Sequence, residues 1–222
     1  MRHMLCLICL ALLTGGCGFS QRPAWIIVGE RRIDSFKANY LSDPQGSGAE
    51  SNFKKAIDEI KKSGDLDLLE KAWLTRMALQ TALLKEMDEG DYREIADAGP
   101  VPANENFYRF LKAEASAVDI KLLPQQYRGF LKALLKGDVN ETGAAIVAMK
   151  DEPVSRLIAA GIAVRRNIES EAVIQEAVET ASVNGWKAAL IVWLERMRSF
   201  YEAKGEPVKA DAIKKRISLM QK

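Results

Sequence analysis

Apolar residues along this chain recur at intervals of three and four, the spacing of a helix face, and few stretches alternate with period two. The clearest run is 186–203, where Trp186, Leu190, Trp193, Met197 and Phe200 fall on one stripe widened by Ala189, Val192 and Tyr201. Asn184-Gly185 before it and Gly205 after it suit left-handed helix ends, and Pro207 suits the first turn of a following helix. The same punctuation recurs upstream. Ser63-Gly64-Asp65 divides a helix near 49–62 from one near 66–87, and Pro124 opens a helix that runs to Lys136-Gly137. Asp138 and Glu141 are spaced as a capping box for 139–150. Pro153 starts a helix near 153–166, and Ser170 caps 171–183. About ten helices joined by short turns predict an all-α chain of antiparallel hairpins. The run "AWIIV" (24–28), ending at Gly29, is expected to be a short strand or a flap over the first helices.

Several helices are apolar on more than one face. Within 66–87, Leu69, Trp73 and Leu83-Leu84 lie beside Leu66, Met77 and Leu79, more than a helix wet on one side requires. Such a helix is expected between neighbours. "LIAAGIAV" (157–164) and the Ala-rich 171–183 present small-residue surfaces that let helices approach closely.

A faint internal repeat sits at the two ends. Ile33, Phe36 and Tyr40 are followed by Ala49, Phe53 and Ala56; near the C-terminus, Leu194, Met197 and Tyr201 are followed by Gly205, Ala210 and Ile217. This alternation of large and small residues resembles the tetratricopeptide repeat, in which small residues let two helices of a hairpin meet and large ones fill the groove of the next hairpin. Departures are Lys37 and Arg198 in place of a small residue, Lys214 in place of an aromatic and Lys61 in place of a proline. The two matches cover about a third of the chain, and residues 90–185 show no clear phase. The resemblance implies a tetratricopeptide-like or irregular α-solenoid, the alternative being a compact helical bundle.

The N-terminus departs from this pattern. Arg2-His3 precede the apolar run "MLCLICLALLT" (4–14) and then Gly15-Gly16-Cys17. A positive end, a short apolar stretch and small residues form a secretory signal, and the run is shorter than the roughly 20 residues of a membrane span. Leu13-Thr14-Gly15-Gly16-Cys17 resembles the lipobox of bacterial lipoproteins, although that family prefers Leu where Thr14 stands. The resemblance implies cleavage between Gly16 and Cys17 and acylation of the Cys17 sulfur, whose thiolate is the nucleophile. It divides the chain into a removed signal (1–16), a lipidated cysteine and tether (17–29) and one helical domain (30–222). Gly18 is not the aspartate that retains such proteins in the inner membrane, so the implied place is the outer membrane, facing the periplasm.

Charge and composition narrow the chemistry. With 32 Lys+Arg against 30 Asp+Glu, the chain lacks the basic excess of a nucleic-acid binder. Cys6, Cys9 and Cys17 are its only cysteines and His3 its only histidine. A chain matured at Cys17 therefore has no imidazole and no disulfide, which excludes Ser-His-Asp and Cys-His catalysis and His/Cys zinc sites. No phosphate-binding glycine loop occurs. The acidic "EMDEGD" (86–91) lacks the alternating ligand spacing of a calcium loop and reads as a solvated helix end. Glu50-Ser51 and Glu169-Ser170 resemble the Glu-Ser pair of lytic transglycosylases, but the groove motifs of that family are absent and helix capping accounts for both pairs. Arg165-Arg166 offset a helix dipole. "KKRISLMQK" (214–222) is a basic, amphipathic end suited to a wet face or to anionic lipid head groups. No metal, cofactor or nucleic acid is expected.

Together these features imply a lipid-anchored envelope protein whose helical body is a scaffold for a protein partner. The analogy is to lipoproteins with tetratricopeptide-like domains, such as secretin pilotins and outer-membrane assembly subunits. The competing readings are a cell-wall enzyme using a single glutamate, marked by a groove with a buried Glu, and a small-ligand or lipid carrier, marked by a closed apolar cavity.

Overall fold

The computed structural model describes residues 22–221; the predicted signal, Gly16 and Cys17 lie outside them. The described residues are all-α, with eleven α-helices and one 3-10 turn. The first helix, α1 (Ala24–Ser42), begins directly after Pro23. This corrects two expectations. "AWIIV" is neither strand nor flap, and residues 24–29 belong to the helical body rather than to a tether. Trp25, Ile26, Gly29 and Ile33 lie at helical spacing, and Gly29 meets α2 (Ser47–Lys61), where an added Cβ would stand 3.6 Å from Ile60. That packing outweighs the β-branched composition of the run.

α1 and α2 form a hairpin turned by Asp43–Gly46. Its aromatic centre is Phe36, 4.7 Å from Phe53 and 5.4 Å from Tyr40 between ring centroids. α3 (Leu66–Ala82) follows, its N-terminus capped by the Asp65 carboxylate, which accepts from the Leu68 N–H at 3.2 Å. It is buried on almost every side, as its two-sided pattern predicts. It stops at Ala82, short of the expected 87, because Leu84 turns into the left-handed region (φ 54°) and the Lys85 N–H closes back on the Gln80 carbonyl.

α4 (Gly90–Ala98) and α5 (Pro102–Leu111) pack on α3. Beyond them the backbone is irregular to Pro124 apart from the 3-10 turn Ala115–Ala117. Buried Asn106 holds this segment, donating to the Asp119 carbonyl and accepting from the Asp119 N–H. α6 (Gln125–Lys136), α7 (Val139–Val147), α8 (Pro153–Arg165), α9 (Glu171–Val183), α10 (Lys187–Ala203) and α11 (Pro207–Gln221) complete the body. Asp138 caps α7 and Ser170 caps α9, as their spacing predicts, although α7 ends at Val147 rather than 150.

Contacts between distant segments shape the whole. Gly161 of α8 lies so close to α3 that an added Cβ would stand 2.2 Å from the Thr81 carbonyl oxygen. The fully buried Trp193 of α10 donates through Nε1 to the Ala82 carbonyl at 3.0 Å, and Arg165 donates to the Lys85 carbonyl at 2.7 Å. The C-terminus of α3 is thus satisfied by side chains from far along the chain. α1 also touches α10, which makes the first and last hairpins spatial neighbours. Buried apolar residues from Phe36 to Ile217 join in one contiguous core, enough for the body beginning at Arg22 to fold by itself.

Candidate functional site

α3 is the floor of a groove. Leu68, Ala72, Thr75 and Leu79 recur at intervals of four, three and four, so they share one face of the helix. Toward the N-terminus of α1, Trp25, Ile26, Gly29 and Ile33 wall a depression of about 380 Å³ above Leu68 and Ala72. A second depression of about 340 Å³ continues above Thr75, Ala78 and Leu79, walled by Phe107 of α5, Tyr127 of α6 and Val154 and Ile158 of α8. Lys37 and Thr75 line both, so the two hollows meet there. Ala72 and Ala78 keep the floor low and Gly29 keeps the wall thin, because they project little or nothing into the hollow. Charged groups stand at the margins: Glu30, Asp34, Lys37 and Lys71 along the first half, Glu152 along the second. Four of these are tied up locally, Glu30 with Arg22, Lys37 with Asp34 at 3.0 Å and Lys71 with Asp67 at 2.6 Å. The arrangement suits an elongated apolar segment with polar groups on its outer side.

Ala49, Phe53 and Ala56 of α2 and Tyr40 of α1 are buried in the α1–α2 hairpin, and Leu194 and Tyr201 of α10 are buried in the α10–α11 hairpin with Ala210 of α11. Gly205 makes the turn between them at φ 70°. The Tyr201 hydroxyl donates to Glu171 at 2.8 Å, tying the hairpin to α9. These residues build the frame rather than line the groove. Sequence reading missed the groove because its floor belongs to α3 and its walls come from four other helices; the available signal was the second apolar face of α3.

On the side of α3 away from the groove lies a polar cluster. Glu70 is completely buried and neither carboxylate oxygen has a hydrogen-bond partner. Burial raises its pKa above the ordinary glutamate value, the Asn104 amide offsets part of this, and the charges of Asp67 and Glu105 push it further up. Asn104 donates to Asp67 Oδ1 at 2.8 Å. The Tyr92 hydroxyl, also driven up by burial, faces Glu105 at 3.4 Å. In the neighbouring "EMDEGD" stretch Glu86, Asp88 and Asp91 are exposed, as a solvated stretch implies, but it joins α3 to α4 rather than ending a helix, and Glu89 is partly buried. Glu89 accepts from the Tyr108 hydroxyl at 2.6 Å and from Lys112 Nζ at 2.8 Å. Burial alone would raise Glu89, but those two donors and the nearby Arg93 hold it low.

The two Glu-Ser pairs separate in role. Ser170 caps α9, while Glu169 forms a two-pronged pair with Arg196. Ser51 is no cap: α2 starts at Ser47, so Ser51 is exposed inside the helix, and Glu50 pairs with Arg76 at 3.2 Å. Glu70 has no exposed surface through which a substrate oxygen would reach it in this conformation. Among the described residues, no group of three or more His, Cys, Asp or Glu is placed to hold a metal ion, and no helix is long and apolar enough to cross a membrane. The chain matches no family model, no curated protein and no solved structure.

Proposed function

We propose that this chain is an envelope lipoprotein, acylated at Cys17 and facing the periplasm from the outer membrane, whose helical body holds an apolar segment of a protein partner in the groove along α3. The observation that carries the binding part is the continuity of two open apolar depressions over one helix face. A groove of that form accepts a helix or an extended peptide through regularly spaced apolar anchors. Acylation would confine the groove near the bilayer and raise the local concentration of membrane-bound partners, so modest affinity suffices. The groove favours this over the two competing readings. Both hollows open to solvent, unlike a carrier's closed cavity, and the one fully buried glutamate among the described residues lies behind the floor rather than in it.

The two parts of the reading fail separately. Cys17→Ala is expected to abolish metabolic labelling with palmitate; persistence of the label would remove the anchor. A photo-reactive residue replacing Lys37, where the depressions meet, is expected to give one discrete adduct in cells, mapped to an apolar segment of an envelope protein. Thr75→Trp, which fills the junction from a half-buried position, should abolish it. No adduct, or one indifferent to Thr75→Trp, would remove the groove.

A further inference from the structure

α11 has a second face with none of the described residues packed over it. Its inner side packs on α10 through Ala210, Ile213, Ile217 and Met220. The opposite side carries Val208, Ala212, Lys215 and Leu219 at intervals of four, three and four, all exposed, with Val208 at 83% and Leu219 at 70%. Val208 and Leu219 stand at the two ends of this line and are the large aliphatic side chains that α11 leaves exposed, while Ile213 and Ile217 pack inward. Lys214 and Arg216 flank the stripe on either side, one helical step from Lys215. Lys209 is occupied by Glu206 at 2.6 Å, whereas Lys214, Lys215 and Arg216 form no ion pair with any described carboxylate. Asp211 is the one acid on this face.

We infer that this face of α11 is a contact surface for an anionic phospholipid bilayer. Exposed apolar positions interleaved with and bordered by cations fit a helix lying in the interfacial plane. Leu219 and Val208 would enter the head-group boundary while the long stems of Lys214, Lys215 and Arg216 let their charges reach phosphates. A protein partner would need acidic groups matching three cations spread across the helix. A bilayer of anionic lipid supplies that charge in any rotation, and each basic residue near such a surface contributes about 1 kcal/mol, roughly fivefold in partitioning. The inference does not depend on acylation of Cys17 or on the groove along α3; it gives the body a second, reversible contact of its own.

The test uses the chain beginning at Arg22, which holds the whole core and no acylation site, in flotation with vesicles of phosphatidylglycerol and of phosphatidylcholine. Binding is expected to the former, to weaken as salt rises, and to fall about fivefold for each of Lys214→Gln, Lys215→Gln and Arg216→Gln. Leu219→Glu should lower it further without altering the helical circular dichroism. Equal binding to both vesicle types, binding indifferent to these substitutions, or none at all would overturn the inference. Concentration-dependent self-association lost in Leu219→Glu, without vesicle binding, would also overturn it and assign the face to a second copy.

Discussion

At the scale of single residues, Glu70 stands out among the described residues as a completely buried carboxyl with neither oxygen hydrogen-bonded. A buried acceptor without a partner costs about 1–3 kcal/mol, and more when charged. Asn104, which donates to Asp67, offsets only part of this, and the acids around Glu70 make ionisation harder still. The native state therefore binds its proton more tightly than the unfolded chain does. The stabilisation linked to that proton is complete below the ordinary glutamate pKa and is lost as pH rises through the raised native value. Wild-type urea unfolding, compared with Glu70→Gln between pH 4 and pH 8, should show a difference that grows against the wild type as pH increases. Glu70→Met removes the polar group altogether and is expected to stabilise the protein by about 1–3 kcal/mol at pH 8. A less stable methionine variant would mean that Glu70 makes a favourable interaction that outweighs its burial.

At the scale of helices, legibility followed the glycines. Gly64, Gly137, Gly185 and Gly205 all sit at positive φ just past a helix, and each marks a break evident from sequence. Just past the ends of α3, α5 and α8, Leu84, Ala113 and Asn167 adopt the same left-handed backbone without being glycine. Of these only Asn167 is of a type that tolerates the conformation readily. Leu84 accordingly gave no warning, and α3 was expected five residues too long. The groove was hidden for another reason: periodicity shows that α3 has two apolar faces but not which neighbour covers each, and here one is left partly open. Close approach of helices was legible in part. "LIAAGIAV" announced a tight crossing, yet only the fold shows that its centre is Gly161 against the end of α3. Gly161→Ala should destabilise by about 1–3 kcal/mol or more, since a rigid backbone carbonyl stands where the methyl would go. Gly129→Ala, inside α6 with nothing within 4 Å of the added methyl, should instead stabilise by roughly 0.5–1 kcal/mol. Thermal unfolding of the pair separates a packing glycine from an incidental one, and equal shifts would show that the α3–α8 crossing yields.

At the scale of the whole molecule, the contact between α1 and α10 decides how the body comes apart. A solenoid in which each hairpin touches only the next can fray from either end, its stability a sum of neighbour terms. Here the N-terminal hairpin leans on α10, the central helix α3 is pinned by Gly161 and Trp193 from the other half, and the core is continuous. Opening α1 alone would expose part of the surface that α10 buries. The amides of α1, α3 and α10 should therefore exchange hydrogen with similar, near-global free energies, while α11, whose main neighbour is α10, exchanges faster. Phe36→Ala carries the argument to its test. Phe36 is fully buried between Tyr40 and Phe53, and its truncation should cost about 3–5 kcal/mol. In a closed body that loss lowers the protection of α10 as much as that of α1; in a chain of independent hairpins it would loosen α1 and α2 and leave α10 untouched. Native-state hydrogen exchange on the variant distinguishes the two, and an unchanged α10 would show that the contact between the ends carries little energy.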